Sequence, residues 1–297
     1  MALSRFTGNR TVVFLKDLYR SMSEHDVFTG AAALAYYFFL ALFPALIFLL
    51  SLIPFLPFAP DLYNYLMTLI REALPEEGAE VLSRTVAEVT IQRRGGLVSL
   101  GGLLTLWAAS AGTYAAMRQL NLESGIRESR PFWKVRGISI LLTLALSVLI
   151  LVAFVLMIFG GILSAWIIKT LNLDPALMVT STVLQWVIAI AAILTGFALI
   201  YNFGPDVKKR FRFLSPGATS GAVVVLLASA LFRVYVQSFA NYSVTYGSIG
   251  AVIILMLWLY LMALVMLVGH EINKVAERRG SERREPASTE TLGYSHT

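Results

Sequence analysis

Ser229, Arg233 and Gln237 stand four residues apart in "SALFRVYVQ" (229–237), so on a helix they share one face. A guanidinium donates two parallel hydrogen bonds, which suits it to phosphate or carboxylate, and the hydroxyl and amide extend the stripe. One reading is a polar stripe that receives an anionic group. The other is an arginine whose apolar stem lets its head reach the outer membrane surface. The following stretch, "ANYSVTYGSIG" (240–250), adds Tyr242 and Tyr246 as interface-level aromatics, and Gly247 and Gly250 allow tight packing. It is read as the outer turn before a last span that starts near 247. Gln185 is a further polar group inside apolar sequence. The expected substrate-binding set is therefore Arg233, Gln237, Ser229, Tyr246, Tyr242 and Gln185.

Other chemistry is sparse. None of the 18 acidic residues falls inside a long apolar run, and Glu271 comes closest, at the inner end of the sixth. His25 and His270 are interfacial and His296 lies in the tail. A carboxylate proton relay or an intramembrane metal site is not expected, nor is any cofactor. No H-E-x-x-H, G-x-x-x-x-G-K-[ST] or G-x-S-x-G motif occurs. An enzyme is not expected; its carriers would be loop residues such as Glu123, Asp206 and Glu271. With no cysteine, thiolate chemistry is excluded.

The elements that must hold these residues are membrane helices. The 297-residue chain is 57% hydrophobic and 14% charged. It has charge-free runs at 27–60, 95–117, 137–168, 175–205, 213–232 and 234–270, each long enough to span a bilayer. Spans are placed at about 30–55, 96–117, 138–165, 180–201, 217–238 and 247–270. They form a single all-α domain over 1–280, with a disordered tail at 281–297. The first 26 residues carry four basic and three acidic side chains rather than a signal-peptide core, so the first span is expected to act as its own insertion signal.

With both termini inside, 18 Lys and Arg face the cytoplasm and 5 face out; the opposite orientation inverts that bias. Both termini are thus expected on the cytoplasmic side. The basic residues sit at helix ends, which points to membrane lipids as partners rather than nucleic acid.

Val12, Leu15, Leu18, Tyr19 and Met22 mark an amphipathic interfacial helix before the first span. An outer helical hairpin is expected at 61–94. Pro44 should kink the first span. In the second span, rows of small residues four apart include Gly101 and Gly112 and favour close helix contact at the bundle centre. The third span, rich in Leu, Ile and Val, is expected to face lipid.

Three segments resemble the YihY/BrkB family of bacterial inner-membrane proteins: "AAALAYYFFLALFPALIFLLSL" (31–52), "YNFGPDVKKRFRFLSPGA" (201–218) and "FANYSVTYGSIGAVIILMLWLYLMALVMLVGHEIN" (239–273). The third carries most of the likeness, through Tyr246, Gly247, Ser248, Gly250, Trp258, Gly269, Glu271 and Asn273. The resemblance implies a six-helix bundle. Its members carry labels of virulence or serum resistance and, historically, ribonuclease BN; some are linked to movement of lipid precursors across the inner membrane. A transporter or flippase of an anionic amphipathic lipid, not driven by ATP, is the expected function. An envelope scaffold, docking partner proteins through the outer hairpin, is the alternative.

Overall fold

The computed structural model describes residues 10–52, 67–68, 102–170, 177–207, 210–238 and 242–282. Among them there are seven helices and no strand: α1 (Arg10–Glu24), α2 (Val27–Leu52), α3 (Gly102–Glu123), α4 (Phe132–Thr170), α5 (Leu177–Phe203), α6 (Pro216–Ser238) and α7 (Tyr242–Glu282). Among the described residues, five helical stretches are long and apolar enough to cross a membrane: Val27–Phe48, Phe132–Ala153, Thr180–Phe203, Pro216–Tyr235 and Ile249–Gly280. The expected second span falls on α3, whose Gly, Ala, Ser and Thr rows lower its apolar character, and α3 is not among the five. The expected hairpin at 61–94, apart from 67–68, and the tail beyond 282 lie outside the described residues.

By internal contacts the chain divides into two units. One comprises Met1–Ala35, Arg118–Ser129 and Ile193–Thr297, and holds α1, α6, α7, the start of α2 and the ends of α3 and α5. Its centre is the α6–α7 crossing. A Cβ on Gly217 would collide with the Gly269 carbonyl, and one on Gly269 would meet the Tyr201 hydroxyl and come within 3.0 Å of the Gly217 carbonyl. Glycine at both positions is thus what lets the two backbones touch. The Asn273 Oδ1 then accepts the Gly217 N–H at 2.7 Å. In α1 the polar side packs: Ser21 is buried, and Asp17 pairs with Arg279 at 2.6 Å. Val12, Leu15 and Tyr19 remain exposed.

The other unit comprises Tyr36–Met117 and Arg130–Ala192. A Cβ on Gly112 would lie 3.2 Å from both the Ala41 Cβ and the Phe38 ring. Helix α4 corrects the expectation of a lipid-facing span with few small polar groups. Ser139, Thr143 and Ser147 line one buried face, and Thr143 shares a 2.8 Å hydrogen bond with Thr113. Leu141 and Val148, on the opposite face, are exposed. Three hydroxyl residues four apart escaped notice because Leu, Ile and Val dominate the composition around them. Arg136 is also buried here, stacked 4.1 Å over the Trp107 ring and donating to the Trp107 carbonyl. Helix α2 continues through Pro44.

Candidate functional site

The charge-free run ends at His270, but the helix does not. α7 continues to Glu282, and the next residue, Glu271, is fully buried. Its carboxylate is satisfied from three sides. The Ser21 hydroxyl donates to Oε2 at 2.5 Å, and Lys274, one turn along α7, donates to Oε1 at 3.0 Å. His25 Nδ1 lies 3.0 Å from the same Oε1. The α1–α2 turn aims that ring: Asp26 adopts a left-handed φ of 48°, which a short polar residue tolerates, and accepts a 2.9 Å bond from Thr29 to start α2.

Lys274 has a second partner, set by how α3 ends. Gly125 takes a left-handed φ of 65°, Gly125 N–H bonds the Leu122 carbonyl at 3.0 Å and Ile126 N–H bonds Asn121 at 3.0 Å. This glycine-terminated cap leaves the Glu123 carbonyl without a helical partner, and the Lys274 ammonium donates to it. The Glu123 side chain is fully buried, and neither carboxyl oxygen has a hydrogen-bond partner. Burial first, and the nearby Glu271 second, push its pKa up to about 9 against the pull of Lys274. It is therefore a neutral carboxyl at pH 7. Ser124 and His270 complete the junction through a 2.8 Å contact to Nε2.

Beside this junction lies a cavity of about 620 Å³. Lys274, His270 and Asn273 of α7 reach it, with Arg210 and Arg212 from the loop before α6 and Glu277 as the acidic member. Asn202, at the end of α5, holds that loop by two bonds to the Arg212 main chain, 3.0 Å to its carbonyl and 2.9 Å from its N–H. The first turn of α6 also borders the cavity. Ser215 caps it through a 3.1 Å bond from the Ala218 N–H, and Pro216 takes the first helical position, where a missing N–H costs nothing. The positive end of a helix and two exposed guanidinium groups therefore face one opening.

Asp206 belongs to the scaffold. Its carboxylate accepts from the Ser129 N–H at 2.8 Å and the Ser129 hydroxyl at 2.5 Å, and its own N–H donates to Asn121 at 2.7 Å. Of the three acids named for a loop-based enzyme, Glu123 and Glu271 thus meet at Lys274 while Asp206 serves a loop clamp.

The residues expected from sequence are spread out. Arg233 is exposed on α6, and Ser229 spends its hydroxyl on the Val225 carbonyl at 2.7 Å. Gln237 lies in the last turn of α6, whereas Tyr242, Tyr246 and Gly247 fall in the first turns of α7, which opens at Tyr242. From Tyr242 onward the patch read as a turn is helix. Gly250 is buried on α7 and Gln185 is half-buried on α5, within the other unit. Gly101 lies outside the described residues. Sequence reasoning missed the Glu123–Lys274–Glu271 junction and Asn202. The available signal was "HEINK" (270–274), where Glu271 and Lys274 stand three apart on one helical face.

Comparison with known proteins places these features in a family. A Bacillus subtilis (strain 168) protein named as ribonuclease-like, YfkH, is 35% identical over 266 residues, 90% of this chain and 96% of the relative. A UPF0761 membrane protein of Chromohalobacter salexigens is 27% identical over 91% of this chain and 65% of its own length. One from Vibrio campbellii is 26% identical over 91% of this chain and 83% of its own. No solved structure matches the chain. A family model described as Virulence factor BrkB matches residues 18–292, nearly the whole sequence and every residue of the junction and cavity, and the chain is a membrane protein of that family.

Proposed function

We propose that this protein moves an anionic amphipathic lipid or envelope precursor across the bacterial inner membrane without ATP, with both termini cytoplasmic. One observation carries the reading: the 620 Å³ cavity at the start of α6, where Arg210, Arg212 and Lys274 converge with the positive end of a long helix. Its volume is that of a small-molecule site, and its polar groups are those that recognise phosphate. Arg233 lies roughly 25 Å along the same helix, at about 1.5 Å per residue. An anion leaving the cavity would meet a second guanidinium near the opposite surface, a role that suits the Ser229–Arg233–Gln237 stripe. The exposed apolar side of α1 fits a helix resting on the membrane surface. The orientation rests on the 18 to 5 distribution of basic residues.

Reconstitution tests this. Proteoliposomes containing fluorescent phosphatidylglycerol or phosphatidylcholine are scored for lipid exchange between leaflets. Faster exchange of the anionic lipid alone is expected, reduced in the Arg210→Ala/Arg212→Ala double variant. Exchange no faster than in empty vesicles, or equal for the two lipids, overturns the proposal. Arg233→Ala at the wild-type rate would remove that residue from the path.

A further inference from the structure

Two buried acidic residues meet at one ammonium group at the wall of the cavity, Glu271 through its carboxylate and Glu123 through its main-chain carbonyl. The Lys274 Nζ reaches Glu271 Oε1 at 3.0 Å and the Glu123 carbonyl, and Lys274 also lines the cavity. One carboxyl group, Glu271, is fully hydrogen bonded; the other, Glu123, is as deeply buried and has no partner. A bare carboxylate in such a place costs several kcal/mol, so a group with no donors is stable there only with a proton on it. We propose that Glu123 and Glu271 form a proton-holding pair, with Lys274 as their shared cation, and that a proton moves together with the anion that enters the cavity.

The coupling follows from charge counting. At rest the junction holds a neutral Glu123, the Glu271 carboxylate and the Lys274 ammonium. An anion drawn to Lys274 from the cavity competes with Glu271 for that one positive charge. A Glu271 oxygen deprived of it takes up a proton from water, leaving two neutral carboxyl groups and an ion pair between lysine and substrate. The anion and the proton are thus taken up together and released together.

The other groups facing the pair are His25 and Ser21 from α1 and its turn, Ser124 and His270, and Tyr201 from α5, whose hydroxyl donates to the Met266 carbonyl at 2.8 Å. None is an acid. The elevated pKa of Glu123 agrees with a proton resident at neutral pH.

The proposal rests on the transport reading for what moves with the proton, but the proton site is tested without any substrate. Infrared difference spectra of the purified full chain between about pH 7 and about pH 10 should show loss of a buried carboxylic C=O band. Glu123→Gln should lack that band, and Glu123→Asp should retain one at a shifted frequency. Absence of the band in the wild type overturns the proton site. In proteoliposomes, a pH difference of one unit should bias fluorescent phosphatidylglycerol about tenfold toward the alkaline leaflet if one proton moves with one anion. Exchange selective for the anionic lipid but indifferent to the gradient overturns the coupling and leaves the transport reading intact. The band without any selective exchange upholds the proton site and defeats the transport reading.

Discussion

A carboxyl group at the last turn of a helix faces the negative end of the macrodipole, and Glu123 does so with neither oxygen hydrogen bonded. Its proton is therefore held up to about pH 9 in the folded chain, far above the ordinary carboxylate value that applies when the chain unfolds. Between those two values the folded state binds the extra proton, so stability is greatest below the ordinary carboxylate range and falls as pH rises through the window. Glu123→Gln should remove that slope and raise the melting temperature in detergent at about pH 8 by several degrees, since the cost removed is on the order of kcal/mol. A melting temperature that still falls with the same slope in the variant would show that the burden lies elsewhere. Lys274 is expected to behave in the opposite way. Lys274→Met strips the cation from a fully buried Glu271 and should cost about 3–5 kcal/mol at neutral pH. The check is thermal unfolding of both variants side by side.

Helices α6 and α7 meet through two glycines, and this contact is specific enough to forecast opposite outcomes for one kind of substitution. Gly217→Ala would drive a methyl group into the Gly269 carbonyl, a backbone atom that cannot swing aside, and should cost about 1–3 kcal/mol. Gly137→Ala, inside α4, meets nothing within 4 Å and should be neutral or stabilising by about 0.5–1 kcal/mol. Equal melting temperatures for the two variants would contradict the close crossing.

The same helices mark what was legible in the sequence. The apolar runs located α2, α4, α5, α6 and α7, because hydrophobic length is a property of the segment alone. The junction was hidden for the converse reason. Glu123, Glu271 and Ser21 are joined by folding, not by spacing, and a charge just past an apolar run looks like any interfacial anchor. The run in α7 ends at His270 while its helix goes on to Glu282, so the boundary drawn at the last apolar residue put Glu271 outside the protein interior. Arg233 drew attention for being charged in apolar sequence, yet it is exposed.

Across the whole molecule the open issue of topology is parity. An even number of crossings returns the chain to its starting side, and an odd number does not. The ends that gather within one unit argue for even. α2 begins beside Glu271, α3 ends against Lys274, α5 ends and α6 begins at the cavity, and α7 brings Glu271 and Lys274 back to it. A chain that leaves along α2 and returns along α3, then leaves along α6 and returns along α7, makes its journeys in pairs. The apolar length of α3 alone would not have settled this, since its small residues leave it outside the five clear spans. The chain has no cysteine, so single cysteines can be placed on an unaltered background. In intact cells, Ser4→Cys, Ser129→Cys and Ser288→Cys should all resist a membrane-impermeant maleimide until the inner membrane is opened, whereas Asn241→Cys, between α6 and α7, should react at once. Labelling of Ser288→Cys in intact cells with Ser4→Cys still protected would make the number of crossings odd. It would also put the α3 return, and with it a cytoplasmic cavity, out of reach.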